Sequence, residues 1–215
     1  MSVGRPGEGG ADPVLAVILA GGASRRMGRP KAWLEVGGRS CIARVWDACR
    51  SAGLEVEFQG TLAGLREAFP ETGIHPDREP GQGPLAALAA ALVRHPGRAV
   101  LLVACDMPFV SAGFLLGVTA GLETADWSVP CDAAGMHPLC AAYAPTTLPA
   151  AEALLARGRR DMHALLAHPG LRGCRVAPRP EWGDPRALLC NLNTPADLED
   201  ARCLAGCRAP RTAGR

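Results

Sequence analysis

Several absences narrow what this chain can be. No stretch reaches the roughly 18 apolar residues that a membrane-spanning helix needs. The opening MSVGRPGEGGADP also lacks an apolar segment of the signal-peptide kind, so a cytoplasmic protein without membrane contact is expected. The nine cysteines are odd in number, scattered, and include no C-x-x-C pair, which argues against a disulfide framework and for reduced thiols. Cys203 and Cys207 stand four apart on an expected helix, but no matching Cys or His pair completes a zinc site, so buried or incidental thiols are the better reading. A charge surplus is missing too: the formal net charge is +2 with 20% charged residues, so no general nucleic-acid surface is expected and any anion binding must be local. With 48% hydrophobic residues, wholesale disorder is excluded. There is no internal repeat.

What is present is an α/β pattern. The 215 residues suit one domain that buries its core without metal or disulfide staples. Residues 1–13 and 207–215 lack periodicity and read as tails around a domain at 14–206. VLAVILA (14–20) reads as a buried strand, and Ile42, Val45, Trp46 and Cys49 form a helical stripe after a Ser40 cap. LEVEF (54–58) alternates as a strand. Leu62, Leu65 and Phe69 mark a short helix, and Leu85, Leu88 and Leu92 mark another ahead of the strand AVLLVAC (99–105). Phe114, Leu115, Val118 and Leu122 predict a helix, WSVP and HPLCAAYA predict strands, and Met162, Leu165 and Leu166 predict a helix after RGRR. Thr194, Pro195 and Asp197 form a variant capping box before Leu198, Ala201 and Ala205. Alternating strands and helices argue for a single doubly wound, mostly parallel sheet flanked by helices.

The first strand runs into LAGGASRRMGRPK (19–31). Beyond the carboxyl ends of parallel strands, free backbone N–H groups cradle phosphates. Gly21, Gly22 and Gly28 allow close approach there, while Arg25, Arg26 and Lys31 meet negative oxygens. A bare turn with solvated arginines does not need that many constrained positions. G-x-G-x-x-G fails because Ala23 stands at the second glycine, and the P-loop pattern fails because Arg29 and Pro30 separate Gly28 from Lys31. Asp106 in CDMPF (105–109) follows an apolar strand directly, which places a carboxylate at the same edge; it either holds Mg²⁺ against phosphates or caps a helix starting near Ser111. Asp126 and Asp132 are candidates for a second metal ligand by position alone.

The pattern L-A-G-G-x-S-x-R-M-G-x-P-K resembles the signature loop of nucleotidyltransferases that activate a phosphate-bearing substrate with a nucleoside triphosphate. The following stretches fall in the order shown by molybdenum cofactor guanylyltransferases: Asp77 with GPLAAL (83–88), CDMPF, HPL (137–139) and NLNTPADL (191–198). The resemblance covers about residues 14–206 and implies a Rossmann-like transferase of nucleotide-diphospho-sugar type. It further implies Mg²⁺ as cofactor, GTP and molybdopterin or Mo-molybdopterin as substrates, and molybdoenzyme apo-proteins or their chaperones as recipients. Arg25, Lys31 and Asp106 would be catalytic, and Leu19, Ala20, Gly21, Gly22, Lys31, Gln59, Asp77 and Asp106 would bind nucleotide, with Gln59 standing where the family has Asn. His137, Arg159, Arg160, Asn191 and Asn193 either face the pterin phosphate and ring or serve as turn asparagines, solvated arginines and a histidine in a structural hydrogen bond. L-A-G-G favours GTP over CTP. Another phosphate acceptor, or a non-catalytic adaptor that delivers cofactor, remains open at this point.

Overall fold

The computed structural model describes residues 14–21, 30–77 and 81–208. Among the described residues ten strands form: β1 Leu15–Leu19, β2 Glu35–Val36, β3 Arg39–Ser40, β4 Glu55–Gln59, β5 Gly73–His75, β6 Val100–Ala104, β7 Trp127–Asp132, β8 Gly135–Met136, β9 Cys140–Tyr143 and β10 Gly173–Val176. The helices are α1 Cys41–Ser51, α2 Leu65–Ala68, α3 Gly83–Arg94, α4 Ala112–Ala120, α5 Leu148–Ala156, α6 Met162–Leu166, α7 Pro185–Leu188 and α8 Pro195–Arg208.

One eight-stranded sheet has the order β10-β7-β9-β6-β1-β4-β5, with β8 added beside β7. β1 lies between β4 and β6 and pairs in parallel with both, Leu19 standing opposite Gln59 on one side and Ala104 on the other. β9 runs antiparallel to β6 and to β7, so the sheet is mostly but not wholly parallel.

Alternation along the central strands explains the two covered faces. Ala16, Ile18, Val56, Phe58, Leu101 and Val103 pack under α1 and α4, while Leu15, Val17, Val100 and Leu102 pack under α3, α5 and α6. Both faces of β1 are therefore apolar, which is why VLAVILA reads as an unbroken run. A third, smaller cluster joins the β2–β3 hairpin to Phe109, Leu192, Leu198 and Ala201, and so presses α8 against the segment after β6.

Several expectations need correction. Ser40 stands at the N-cap of α1 but its side chain makes no cap hydrogen bond. The helix expected around Leu62, Leu65 and Phe69 shrinks to one turn, with Gly64 preceding it in a left-handed conformation. Leu122 falls in a 3-10 turn after α4, and His137–Leu139 precede β9 rather than belonging to it. The helix expected after RGRR does form, as α6, with RGRR as the turn before it and Asp161 capping α6 by accepting from Ala164 N at 2.8 Å. α8 runs from Pro195 to Arg208.

Candidate functional site

The carboxyl ends of β1, β4 and β6 meet at one edge, and a cleft of about 430 Å³ opens there between Gly21, Lys31, Gln59, Asp77, Asp106 and Leu139. Leu19 and Ala20 also line it. A hollow of about 250 Å³ adjoins it along Gln59 and Asp77, walled by Ala86, Ala90 and Leu155. Gly60, directly after β4, forms part of the packing beneath: its φ is +126°, and a β-carbon there would stand 2.7 Å from the Ala20 carbonyl oxygen. Only glycine lets the end of β4 close against the end of β1 at that point.

On the β6 side, Lys31 is the junction. Its Nζ donates to Asn193 Oδ1 at 2.6 Å and lies 3.5 Å from Asp106 Oδ2. The C-terminal segment is docked on the same loop, because Leu192 N donates to the Asp106 carbonyl at 3.0 Å. Arg44 of α1 ties that loop from the other side, its Nε donating to Pro108 O at 2.8 Å and its guanidinium lying over the Phe109 ring. Burial pushes the Asp106 carboxyl above its ordinary value, and the Lys31 charge partly offsets this.

The capping alternative for Asp106 falls away: Ser111 caps α4 by accepting from Phe114 N at 3.2 Å. Asp106 is thus free of helix duty and faces the cleft with a partly exposed side chain. Among the described residues no three His, Cys, Asp or Glu side chains gather as a metal site. Asp126 lies at the opposite end of β7, where Thr146 Oγ1 and Arg172 N donate to it. Asp132 is at the cleft edge of the sheet but is engaged by Ala134 N at 2.8 Å and by His137 at 3.0 Å. Neither lines the cleft. The donor set still fits Mg²⁺, which commonly takes one or two carboxylates and completes its shell with water and substrate phosphate. The thiols do not join in: burial raises Cys41 and Cys105 to about 12, which leaves them neutral.

On the β4 side, Gln59 is buried and its Nε2 donates to Asp77 Oδ1 at 3.1 Å and to Pro76 O at 3.2 Å. Asp77 Oδ2 lies against Gly21, 3.4 Å from where a β-carbon would be. The longer amide of glutamine therefore makes direct contact with its acidic partner.

The residues expected at the acceptor end are dispersed. Asn193 contacts Lys31, while Asn191 is half-buried with Oδ1 lacking a partner among the described residues. Arg159 is tied to Asp161 on the surface, its Nη2 3.1 Å from Oδ2. Arg160 reaches the cleft rim, donating to Gly81 O at 3.4 Å. His137 pairs with Asp132 beyond Leu139. Gly22 and Arg25 lie outside the described residues. Sequence reasoning missed Arg44 and the Lys31–Asn193 bond, since nothing local in the sequence signals a contact across 162 positions.

A family model described as the MobA-like NTP transferase domain matches residues 16–172. The chain is 36% identical over 200 residues to a molybdenum cofactor guanylyltransferase of Rhizobium meliloti, covering 86% of this chain and 89% of that protein. It is 35% identical over 193 residues to a probable molybdenum cofactor guanylyltransferase of Pelotomaculum thermopropionicum, covering 88% and 92%. Among solved structures, molybdopterin-guanine dinucleotide biosynthesis protein A from Archaeoglobus fulgidus superposes with a TM-score of 0.75 at 25% identity, covering 90% of this chain and 99% of the other.

Proposed function

The chain belongs to the MobA-like NTP transferase family, and from that premise we propose that it transfers GMP from GTP to the terminal phosphate of molybdopterin, releasing pyrophosphate. A phosphate oxygen of molybdopterin forms a bond to the α-phosphorus as the bond from that phosphorus to the bridging oxygen of the β-phosphate breaks. Such a transfer asks the protein for in-line positioning and for neutralisation of charge, with little covalent work. The observation that carries the reading is Lys31 lining the cleft and held between Asp106 and Asn193; an ammonium there would neutralise phosphate oxygens.

Asp106 would hold Mg²⁺, which supplies charge neutralisation on the triphosphate when bound. Gln59 and Asp77 bind the nucleoside end, and the backbone at Ala20 and Gly21 lies along the cleft between the two groups. Arg25, assigned by the family's loop pattern, meets the leaving phosphates. Arg160 at the rim is placed to meet the phosphate of the acceptor.

Pyrophosphate release by the purified protein with Mg²⁺ and GTP, CTP or ATP, with and without molybdopterin, tests this. Release should require both GTP and molybdopterin. By comparison with loss of cationic clamps in other phosphoryl-transfer sites, Lys31→Ala should lower the rate roughly 10³-fold. Release with CTP alone among the nucleotides would overturn the choice of base, and GTP binding without release would overturn the acceptor.

A further inference from the structure

We infer that Arg94 is a positioning residue for nucleotide binding, acting on Asp77 through the amide of Gln59; the inference rests on the reading of the cleft as a GTP site. β4 turns Val56 and Phe58 toward α1 and the opposite alternation, Glu57 and Gln59, toward α3. Arg94 is the last residue of α3. Its Nη2 donates to Gln59 Oε1 at 3.3 Å, while Nε and Nη2 both donate to Glu57 Oε2 at 3.3 Å.

A glutamine amide has an accepting end and a donating end, whereas a guanidinium only donates. Arg94 therefore selects the orientation in which the Gln59 oxygen faces α3 and the nitrogen faces Pro76 and Asp77. Both N–H bonds of that nitrogen are then used, on Pro76 O and Asp77 Oδ1. A reversed amide would set its oxygen against a carbonyl and a carboxylate and its N–H groups against a guanidinium. Gln59 is 3% exposed, so water has little access to relieve either clash.

Glu57 completes the device by holding Arg94. His75 and His95 face the same carboxylate, with His95 Nε2 at 3.1 Å and His75 Nε2 at 3.2 Å. The result is a chain of contacts from the end of α3 to the cleft: Glu57, Arg94, Gln59, Asp77. Its last member has Oδ1 engaged and Oδ2 beside Gly21 on the cleft wall. A carboxylate fixed this way suits a base edge bearing N–H donors. Guanine carries such donors on N1 and on its 2-amino group; adenine has neither at those positions.

Equilibrium binding of a fluorescent GTP analogue to the full-length protein, with ATP as competitor, tests the inference. Arg94→Met should weaken GTP binding about tenfold, the worth of one hydrogen bond to a charged group. KM for GTP should rise by a similar factor with kcat little changed, and the preference for GTP over ATP should narrow. Arg94→Met also strips a partner from Glu57, so Arg94→Met/Glu57→Gln is compared with it. If Arg94 acts on Asp77, the double variant, which no longer buries a carboxylate short of its arginine, still binds GTP weakly whatever its thermal stability. Recovery of GTP affinity in the double variant, or unchanged GTP affinity in Arg94→Met, overturns the inference. Wild-type protein that binds no GTP overturns this inference and the function together; wild-type protein that binds GTP without transferring it leaves the present test intact.

Discussion

Asp106 combines two opposed demands in one side chain. Burial favours its neutral form, whereas the proposed role of holding a divalent cation would require the carboxylate. Its carboxyl is raised above the ordinary value of 3.8, with Lys31 pulling it back down. The sign follows directly: as pH falls, protonation competes with the metal at a pH higher than an exposed aspartate would show. A titration with Mn²⁺, followed by electron paramagnetic resonance, should find affinity dropping over that range. Lys31→Ala removes the opposing charge and should move the drop to higher pH still. A drop at the same pH in both proteins would show that Lys31 does not act on Asp106 electrostatically.

At the scale of elements, the start of α8 matters most. Asp197 Oδ2 accepts from Asn193 N and Thr194 N, both at 2.7 Å, and Thr194 Oγ1 accepts from Asp197 N at 3.2 Å. The cap thus fixes the backbone of Asn193, whose side chain holds Lys31. Thr194→Ala should cost about 1 kcal/mol in thermal or denaturant unfolding. It should also reduce turnover more than Ser111→Ala, which removes a cap of α4 with no link to Lys31.

The capping box, β1, α3 and β6 were all legible in the sequence because each combines strong periodicity with local end signals. α5 was not, since LPAAEALLA has alanines where a clear apolar stripe would stand, and only Ala150 and Ala151 are buried. Nor was β5, a three-residue strand whose partner is 16 positions away at Gln59↔His75. The reversed direction of β9 is set by its neighbours and leaves no mark on CAAY itself. The site was legible as residue types in a known order; the bonds that join them depend on tertiary packing.

For the molecule as a whole, Glu57 of β4 links the sheet to the end of α3 by charge. Burial raises its carboxyl, but the His95 hydrogen bond and the charges of His75, His95 and Arg94 outweigh this and leave it lowered. A lowered carboxyl contributes stability above the ordinary value of 4.5 and loses that contribution as pH falls through the folded-state value. Acid unfolding of Glu57→Gln should therefore start from a lower stability at neutral pH, by about 1–3 kcal/mol for a change that leaves the half-buried Arg94 underpaired. The gap between the two proteins should close as pH falls below 4.5. A gap that persists at low pH would mean that packing, not charge, carries the effect.

The bonds from Leu192 N to Asp106 O and from Lys31 to Asn193 also set an order in time. Chains grow and fold from the N-terminus, so Lys31 and Asp106 are synthesised long before the asparagine that steadies the lysine. A nascent chain can build β1, β4 and β6 and still lack the asparagine that holds Lys31. The Lys31–Asn193 contact can form only once synthesis has passed Asn193, and its capped backbone only once the start of α8 has been made.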